Sequence, residues 1–455
     1  VAATVLPDDR NSQCLREVAV APDAAEAHPR SVTAIPHALL PDNATVDGGQ
    51  LHVAGVDVLA LADEFGTPLF VYDEDHIRAR CREAVAAFGR GHASYASKAF
   101  LCKAMARLAH DEGMTLDVAS GGELYVARAA GVPAKHLVLH GNNKSEAELS
   151  MALDEGVGRI VVDSFDELDR LETLVPKASC ASPKILLRLT PGIEAHTHEF
   201  VQTGQVDSKF GFGVGSGDAS RAVERAMASG AVELVGLHAH IGSQIFTTDS
   251  FVQAVEVLTP IVKPHRLPEL SIGGGLGVPY VEGESAPSIT EWGAAVKRAL
   301  RSSDIDVQIH AEPGRSIVAS AAITLYRVGT IKPIQGVRTY VAVDGGMSDN
   351  PRPVLYGSGY ETFLPRAADA DRTKAVTVVG KHCESGDLLV RNGRVPSDIR
   401  VGDILATPVT GAYGHSMGSN YNKVPRPAVV FVRGGEARLI VRRETYEDLV
   451  RCDVA

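Results

Sequence analysis

HASYASKAF (92–100), TLDVAS (115–120), HLVLHG (136–141) and RIVVDS (159–164) share one design, a short apolar run ending in small or polar residues. KILLRLT (184–190), LVGLHAHIG (234–242), LSIGGG (270–275) and VQIHAEPG (307–314) repeat it. A strand with one wet face alternates apolar and polar residues, whereas near-continuous apolar runs belong to strands covered on both faces. Helical patterns such as ELYVARAAG (123–131) and AELSMALDEG (147–156) fall between the runs. Strand–helix alternation implies a parallel sheet, because each crossover needs a connection about as long as a helix. About eight such units within residues 75–325 predict an α/β fold of the (β/α)8 TIM-like barrel type.

Outward from the barrel the texture changes. Residues 1–45 are rich in Ala, Asp, Pro and Asn with no sustained period, which predicts a poorly structured N-terminal arm. Within residues 46–74, LHVAG (51–55) reads as a strand, VDVLALADEFG (56–66) as an amphipathic helix closed by Gly66, and PLFVYD (68–73) as another strand. After about residue 325 come AITLYRVGTIK (322–332), TYVAVDGG (339–346), KAVTVVG (374–380), DILATPV (403–409), AVVFVRGG (428–435) and EARLIVRR (436–443). Their Gly, Asn and Asp punctuation predicts an antiparallel β-sandwich or β-barrel domain over 326–455, completed by the N-terminal strands.

Composition narrows the function. The net charge is −11 and no basic block appears, which argues against a nucleic-acid partner. No run approaches the roughly 18 apolar residues of a membrane span, and no charged segment followed by an apolar core marks a secretory signal. The six cysteines are scattered without a CxxC pair. That pattern argues against a zinc site or a disulfide scaffold and fits a reducing cytoplasm.

Barrel enzymes build their sites on the loops that follow the strand C-termini, and the reactive residues of this chain gather there. Lys98 follows directly on HASYAS. A lysine is ordinarily a solvated surface group, but partial burial after a strand would lower its pKa and free the amine for imine formation. Gly273, Gly274 and Gly275 follow LSI, where consecutive glycines let backbone N–H groups approach a phosphate. A Rossmann-type motif is the rival reading, although the cluster comes late and lacks an early acidic ribose partner.

His238 and His240 lie two apart on one strand and share a face. They read as core histidines, as a metal pair without a third ligand, or, for His240, as an imidazole stacked on a flat ring, with Ser243 in reach of a phosphate. No metal is expected. Glu312 and Arg315 in HAEPGRS (310–316) read as a structural ion pair or as a carboxylate that keeps a pyridine nitrogen protonated. Cys383 and Glu384 open CESGD (383–387). An isolated cysteine is ordinarily a small buried hydrophobe, yet this turn is polar and offers the thiol as a proton donor. Tyr413 in GAYG (411–414) and Tyr421 in SNYN (419–422) add phenols on loops.

Assembled in order, YASKAF (95–100), DVASGGEL (117–124), HGNNKS (140–145), EAHTHEF (194–200), KFGFG (209–213), LHAHIGSQ (237–244), GGGLG (273–277), EPGRSIVA (312–319), MSDNPRPVLYG (347–357), CESGD and GAYGHSMGSNYN (411–422) span about residues 50–450. This series resembles the fold-type III decarboxylases that use pyridoxal 5′-phosphate (PLP), and within them the diaminopimelate decarboxylases. The resemblance implies a barrel plus a β domain and a homodimer with active sites at its interface. It also implies decarboxylation of meso-2,6-diaminopimelate to L-lysine and CO2, the last step of lysine biosynthesis.

Carried over by position, Lys98 would hold PLP through an imine, His240 would stack on its ring, and Glu312 would face the pyridine nitrogen. Gly274 with Gly273 and Gly275, and the Gly314–Arg315 turn, would hold the phosphate, with Tyr413 contacting it and Asp117 near the imine. Arg315, Arg352 and Tyr356 would receive the substrate's distal carboxylate and Glu384 its distal ammonium. Cys383 of the other subunit would reprotonate Cα. Two guanidinium forks suit a second carboxylate, which an ornithine or arginine decarboxylase would not need.

The chain departs from the family in shorter segments on either side of GGG, in Ser271 where an acidic residue is common, and in His415 and Gly418 where Tyr and Ala are expected. The last two bear on substrate identity. A decarboxylase of a related diamino or carboxylated amino acid in secondary metabolism is therefore the first alternative. A PLP racemase on a similar barrel would lack CESGD, and a PLP-binding regulatory protein would have lost Lys98 or Cys383.

Overall fold

The computed structural model describes residues 33–178, 181–193 and 207–454. Eight parallel strands lie side by side in chain order: Ser94–Ala96, Thr115–Val118, Leu137–Leu139, Arg159–Val162, Lys184–Thr190, Glu233–Ala239, Glu269–Ser271 and Gln308–His310. A parallel bridge between Ala93 and Ala311 links the last strand to the first, with Ser94 N donating to Ala311 O at 2.8 Å. The barrel expected from the alternating runs is present.

Both faces of its strands are dry. Leu137 and Leu139, Ile160 and Val162, and Ile185 and Leu187 join the large core shared with the helices. Their alternates Val138, Val161 and Leu186 form a separate small cluster with Val235. Successive side chains of a strand point to opposite faces, so this second set lies inside the barrel. A register shift between Leu234 and Gly236 then keeps His238 level with Arg188. Across the same interior Arg159 grips Glu269 bidentately, at 2.6 and 2.5 Å.

Strand pairing ends sooner than the apolar runs predicted. HLVLHG pairs over only three residues, because the chain is already turning away at Gly141, whose φ of 123° favours glycine. The loop that follows is fastened from beneath. Buried Lys144 donates to Gly141 O at 2.7 Å, to Val161 O at 2.6 Å and to Glu167 Oε1 at 2.7 Å.

The second sheet runs in the order Leu388–Val395, Lys374–Val379, Arg338–Val343, Ala322–Ile334, Leu69–Asp73, Ala428–Arg433, Glu436–Val441, with Ile404–Pro408 also on Ala322–Ile334. The expected antiparallel pairing holds for five of its seven strand pairs, and two depart from it. Arg338–Val343 pairs parallel with Lys374–Val379, and Leu69–Asp73 parallel with Ala428–Arg433. In both pairs the strands are joined by long connections rather than hairpins, which leaves the parallel direction open.

Of the N-terminal strands only Leu69–Asp73 joins this sheet. Ala44–Asp47, Gln50–Val53 and Val56–Asp57 form a small antiparallel sheet of their own. The helix Val58–Phe65 starts where Asp57 accepts from Leu59 N at 2.8 Å and stops at Gly66, φ 70°. Residues 1–32 of the expected arm lie outside the described residues, as does EAHTHEF (194–200). The end of the arm is structured: His37–Leu39 form a 3-10 turn, and Leu39 and Leu40 are buried in the core.

Lys144→Ala would leave the Glu167 carboxylate buried without its partner and should cost about 3–5 kcal/mol of stability. Lys144→Met with Glu167→Leu should recover most of that loss. Urea unfolding midpoints of the two variants check this, and a double variant no more stable than the single one contradicts it.

Candidate active site

The site begins where the inner face of the barrel turns polar. Two residues beyond Val138, Val161 and Leu186 stand His140, Asp163 and Arg188, all buried. Asp117, His238 and Ser271 occupy inner positions on their own strands, and Glu312 lies two residues past His310. Uncompensated charges are costly to bury, and the Glu312 carboxylate takes donors from its neighbours. Ser271 Oγ donates to Glu312 Oε1 at 2.8 Å and His238 Nε2 donates to Glu312 Oε2 at 3.1 Å. His140 Nε2 stands 3.6 Å from Glu312 Oε1 and 3.6 Å from Asp117 Oδ1. Arg188 lies 3.6 Å from Asp163 and over the Phe210 ring at 4.1 Å.

This environment splits the two carboxyls. Burial alone would raise Glu312, but the His238 and His140 imidazoles and the two hydrogen bonds hold it well below the usual range. Asp117 is pushed well above its ordinary value, by burial first and by the Glu312 charge second. His240 lies well below an ordinary histidine because of burial and of the cations Lys98 and Arg188. Its Nδ1 accepts from Gly274 N at 3.1 Å, as an unprotonated imidazole nitrogen can.

Lys98 occupies a 3-10 turn, Ser97–Ala99, just past the first strand. Its neighbours Ser97 and Ala99 are buried, while the Lys98 side chain itself is exposed to an open pocket. The expected lowering of its pKa is not found. Burial does push the amine down, but Tyr413, Asp117 and Glu312 outweigh burial and leave it raised. Tyr413 is held there by its own N–H, which donates to Ala99 O at 2.8 Å, in a left-handed backbone with φ 60°. A tyrosine so placed is strained, as residues at functional sites often are.

The same pocket is lined by Asp117, His240, Ser243, Gly274, Gly275, Glu312, Gly314, Arg315 and Tyr413, together with Ser316. Part of its lining is rich in donors. Arg315 Nη2 donates to Ser243 Oγ at 2.8 Å and Nη1 to Tyr280 Oη at 2.6 Å, with the guanidinium 4.8 Å over the Tyr413 ring. Arg315 Nε and Ser316 Oγ are buried without a hydrogen-bond partner among the described residues. The glycines answer to close packing: a Cβ on Gly274 would lie 2.2 Å from Glu312 O, and one on Gly275 2.3 Å from Gly242 O. Gly273 N is already committed to Ser271 Oγ at 3.2 Å, as Gly274 N is to His240. Of the three expected phosphate-facing amides, only that of Gly275 is left without such a side-chain acceptor.

Other expected residues stand apart. Arg352 is buried 4.6 Å from the Tyr280 ring and 5.9 Å from that of Tyr413, so it shares both rings with Arg315. Tyr356 closes the short helix Arg352–Tyr356, half-buried. Cys383 and Glu384 are exposed and do not line the Lys98 pocket of their own chain. Their turn is firmly tied. Asp387 accepts from His382 N at 2.9 Å and Met347 N at 2.6 Å, His382 contacts Ser348 at 2.8 Å, and Tyr421 Oη donates to Glu384 Oε1 at 2.7 Å. His415 packs edge-on against Phe70 and Phe100 and is absent from the pocket lining.

Arg188, Asp163, Tyr280 and the part played by His140 were missed by the sequence reading. For three of them the signal lies in two-residue periodicity: His140, Asp163 and Arg188 continue the inner row of their strands. His140, His238 and Glu312 bring ligand atoms within 4.8 Å of one another, so the third partner that His238 lacked in the sequence exists, on another strand. His240 turns instead to Gly274.

Comparison with known proteins agrees with this geometry. The family model for the pyridoxal-binding domain of pyridoxal-dependent decarboxylases matches residues 74–319. The diaminopimelate decarboxylase of Bacillus subtilis (strain 168) is 48% identical over 421 residues, covering 89% of this chain and 95% of that one. That of Mycobacterium tuberculosis (strain H37Rv) is 47% identical over 436 residues, covering 91% and 97%. The crystal structure of M. jannaschii diaminopimelate decarboxylase with L-lysine superposes with a TM-score of 0.84 at 32% identity, covering 91% of this chain and 98% of that one.

Because the native pKa of Asp117 is raised above its unfolded value of about 3.9, the native state keeps a proton that the unfolded chain releases. Stability therefore falls as pH rises through that window. Asp117→Asn should raise the thermal midpoint at pH 8 relative to wild type, and the gain should vanish by about pH 4. A gain as large at pH 4 as at pH 8 would contradict the assignment.

Proposed function

This chain belongs to the diaminopimelate decarboxylases of the pyridoxal-dependent decarboxylase family, and from that premise we propose that it converts meso-2,6-diaminopimelate to L-lysine and CO2 with pyridoxal 5′-phosphate as cofactor. This is the last step of lysine biosynthesis. The observation that carries the reading is one pocket lined together by Lys98, by the buried carboxylate Glu312, and by the donors Arg315, Ser243 and Ser316. The unpartnered Arg315 Nε and Ser316 Oγ fit an anion, and the low pKa of Glu312 fits a cationic ring nitrogen.

When bound, pyridoxal 5′-phosphate supplies an aldehyde that joins amines and a protonated ring that accepts the electron pair left by departing CO2. Lys98 is the amine for that attachment, and Asp117 is the nearby group that can hold or give up a proton. Glu312 keeps the ring nitrogen protonated. The imidazole of His240, with its Nδ1 fixed by Gly274 N, offers a flat uncharged face. Ser243, Arg315, Gly314, Gly274 and Gly275 form the phosphate end, with Tyr413 beside them.

Arg352, sharing the Tyr280 and Tyr413 rings with Arg315, belongs to the reception of the distal carboxylate, and Tyr356 lies on the same short helix. Cys383 protonates Cα and Glu384 meets the distal ammonium. Both are exposed and outside their own chain's pocket, which supports a homodimer in which each subunit completes its partner's site. Among the described residues no helix is long and apolar enough to cross a membrane. Cys81, Cys102, Cys383 and Cys452 are free thiols, which supports a cytoplasmic location. The departures at His415 and Gly418 gave weight to another substrate, but His415 is spent on aromatic packing, and diaminopimelate remains the reading.

Incubated with PLP and meso-2,6-diaminopimelate, the protein should release CO2 and L-lysine, identified by mass spectrometry. Release from another diamino acid but not from this one would overturn the substrate. Cys383→Ala should slow turnover by about 100- to 10,000-fold while the visible absorbance of the bound cofactor persists. If sites are shared, mixing Lys98→Ala with Cys383→Ala subunits should restore about one quarter of wild-type activity, the statistical yield of a C2 dimer. No recovery after subunit exchange would contradict the shared site.

A further inference from the structure

Glu312 is set by residues that do not reach the pocket. His238 Nε2 contacts Glu312 Oε2 at 3.1 Å and Ser271 Oγ contacts Glu312 Oε1 at 2.8 Å, so each carboxylate oxygen receives one protein donor. Both donors come from inner positions of barrel strands, Glu233–Ala239 and Glu269–Ser271, and neither lines the pocket. Glu312 itself does.

His238 is spent on this one contact. It is 1% exposed, its Nδ1 has no hydrogen-bond partner among the described residues, and its ring packs against His140 with centroids 5.0 Å apart. The Nε2 that faces a carboxylate must carry the ring's hydrogen, a tautomer assigned from the bonding pattern. A histidine serving only to fill the core would normally have both nitrogens satisfied. Ser271 is similarly committed, since its oxygen accepts from Gly273 N at 3.2 Å while its hydroxyl hydrogen goes to Glu312.

We infer that His238 and Ser271 are positioning residues that hold the Glu312 carboxylate in the orientation that receives a proton-bearing aromatic nitrogen, and so set how firmly the protein retains such a ring. The inference rests on the reading that the pocket binds pyridoxal 5′-phosphate at Lys98, and it deepens that reading by assigning two residues outside the pocket. His140, 3.6 Å from both Glu312 and Asp117, couples the two carboxyls but donates to neither at hydrogen-bond distance. It is therefore left out of the pair.

The test uses full-length protein freed of cofactor and titrated with pyridoxal 5′-phosphate. Protein fluorescence gives affinity, and the visible band recorded across pH gives the ring's protonation. Losing a hydrogen bond to a charged group should weaken cofactor affinity about 10- to 100-fold in His238→Leu and shift the pH midpoint of the band, which a purely structural residue would leave in place. His238→Gln, whose amide N–H replaces Nε2–H, should return both to within about threefold of wild type.

Ser271→Ala removes a smaller side chain, remains informative if His238→Leu fails to fold, and should weaken affinity by about three- to tenfold. Wild-type affinity and pH midpoint in both His238→Leu and Ser271→Ala would overturn the inference, as would a His238→Gln protein that folds yet behaves like His238→Leu. A wild-type protein that gains no visible band at all would overturn the cofactor reading itself, which separates the two failures.

Discussion

A carboxylate buried inside a barrel has to be compensated, and the strand ends around Glu312 are organised to do so. Ser271 and His238 donate to it, His140 faces it, and its backbone N–H in turn donates to Gly273 O at 2.8 Å. The residues that compensate the charge come from the strands at 233–239 and 269–271 and from just past the end of the strand at 137–139. Coulomb interactions are strong in such a poorly solvated setting, so the same charge adds to the burial that pushes Asp117 up and joins Tyr413 and Asp117 in raising Lys98. The chemistry of the pocket is in that sense a consequence of one compensated charge.

The barrel was legible because its signal is local and repeated. Eight apolar runs separated by helical patterns admit few topologies, and polar residues clustered after those runs point to the strand C-termini. Lys98, His240, Gly274, Glu312 and Arg315 were found this way, and they do line one pocket. The inner row His140, Asp163 and Arg188 was equally available in the two-residue period. It was overlooked because each residue, taken alone, resembles an ordinary loop polar group.

What the sequence could not supply depended on distance in three dimensions. The raised pKa of Lys98 arises from Tyr413 and Asp117, which join it only through the fold. The two parallel pairings in the second sheet were missed for a related reason. Gly and Asn punctuation marks where strands end but does not say which neighbour a strand chooses, and two of the pairings span long connections. The glycine cluster shows how a correct motif can carry an incomplete reason. Gly273 and Gly274 are required by close backbone approach, and their amides serve Ser271 and His240.

The central claim is a covalent one, that the Lys98 amine is where pyridoxal 5′-phosphate attaches. Borohydride reduction of the purified, cofactor-loaded protein followed by proteolysis and mass-spectrometric sequencing tests it most directly. A single pyridoxyl adduct on the peptide containing Lys98 is the expected result. An adduct on Lys144, or on any lysine outside the pocket, would contradict the account.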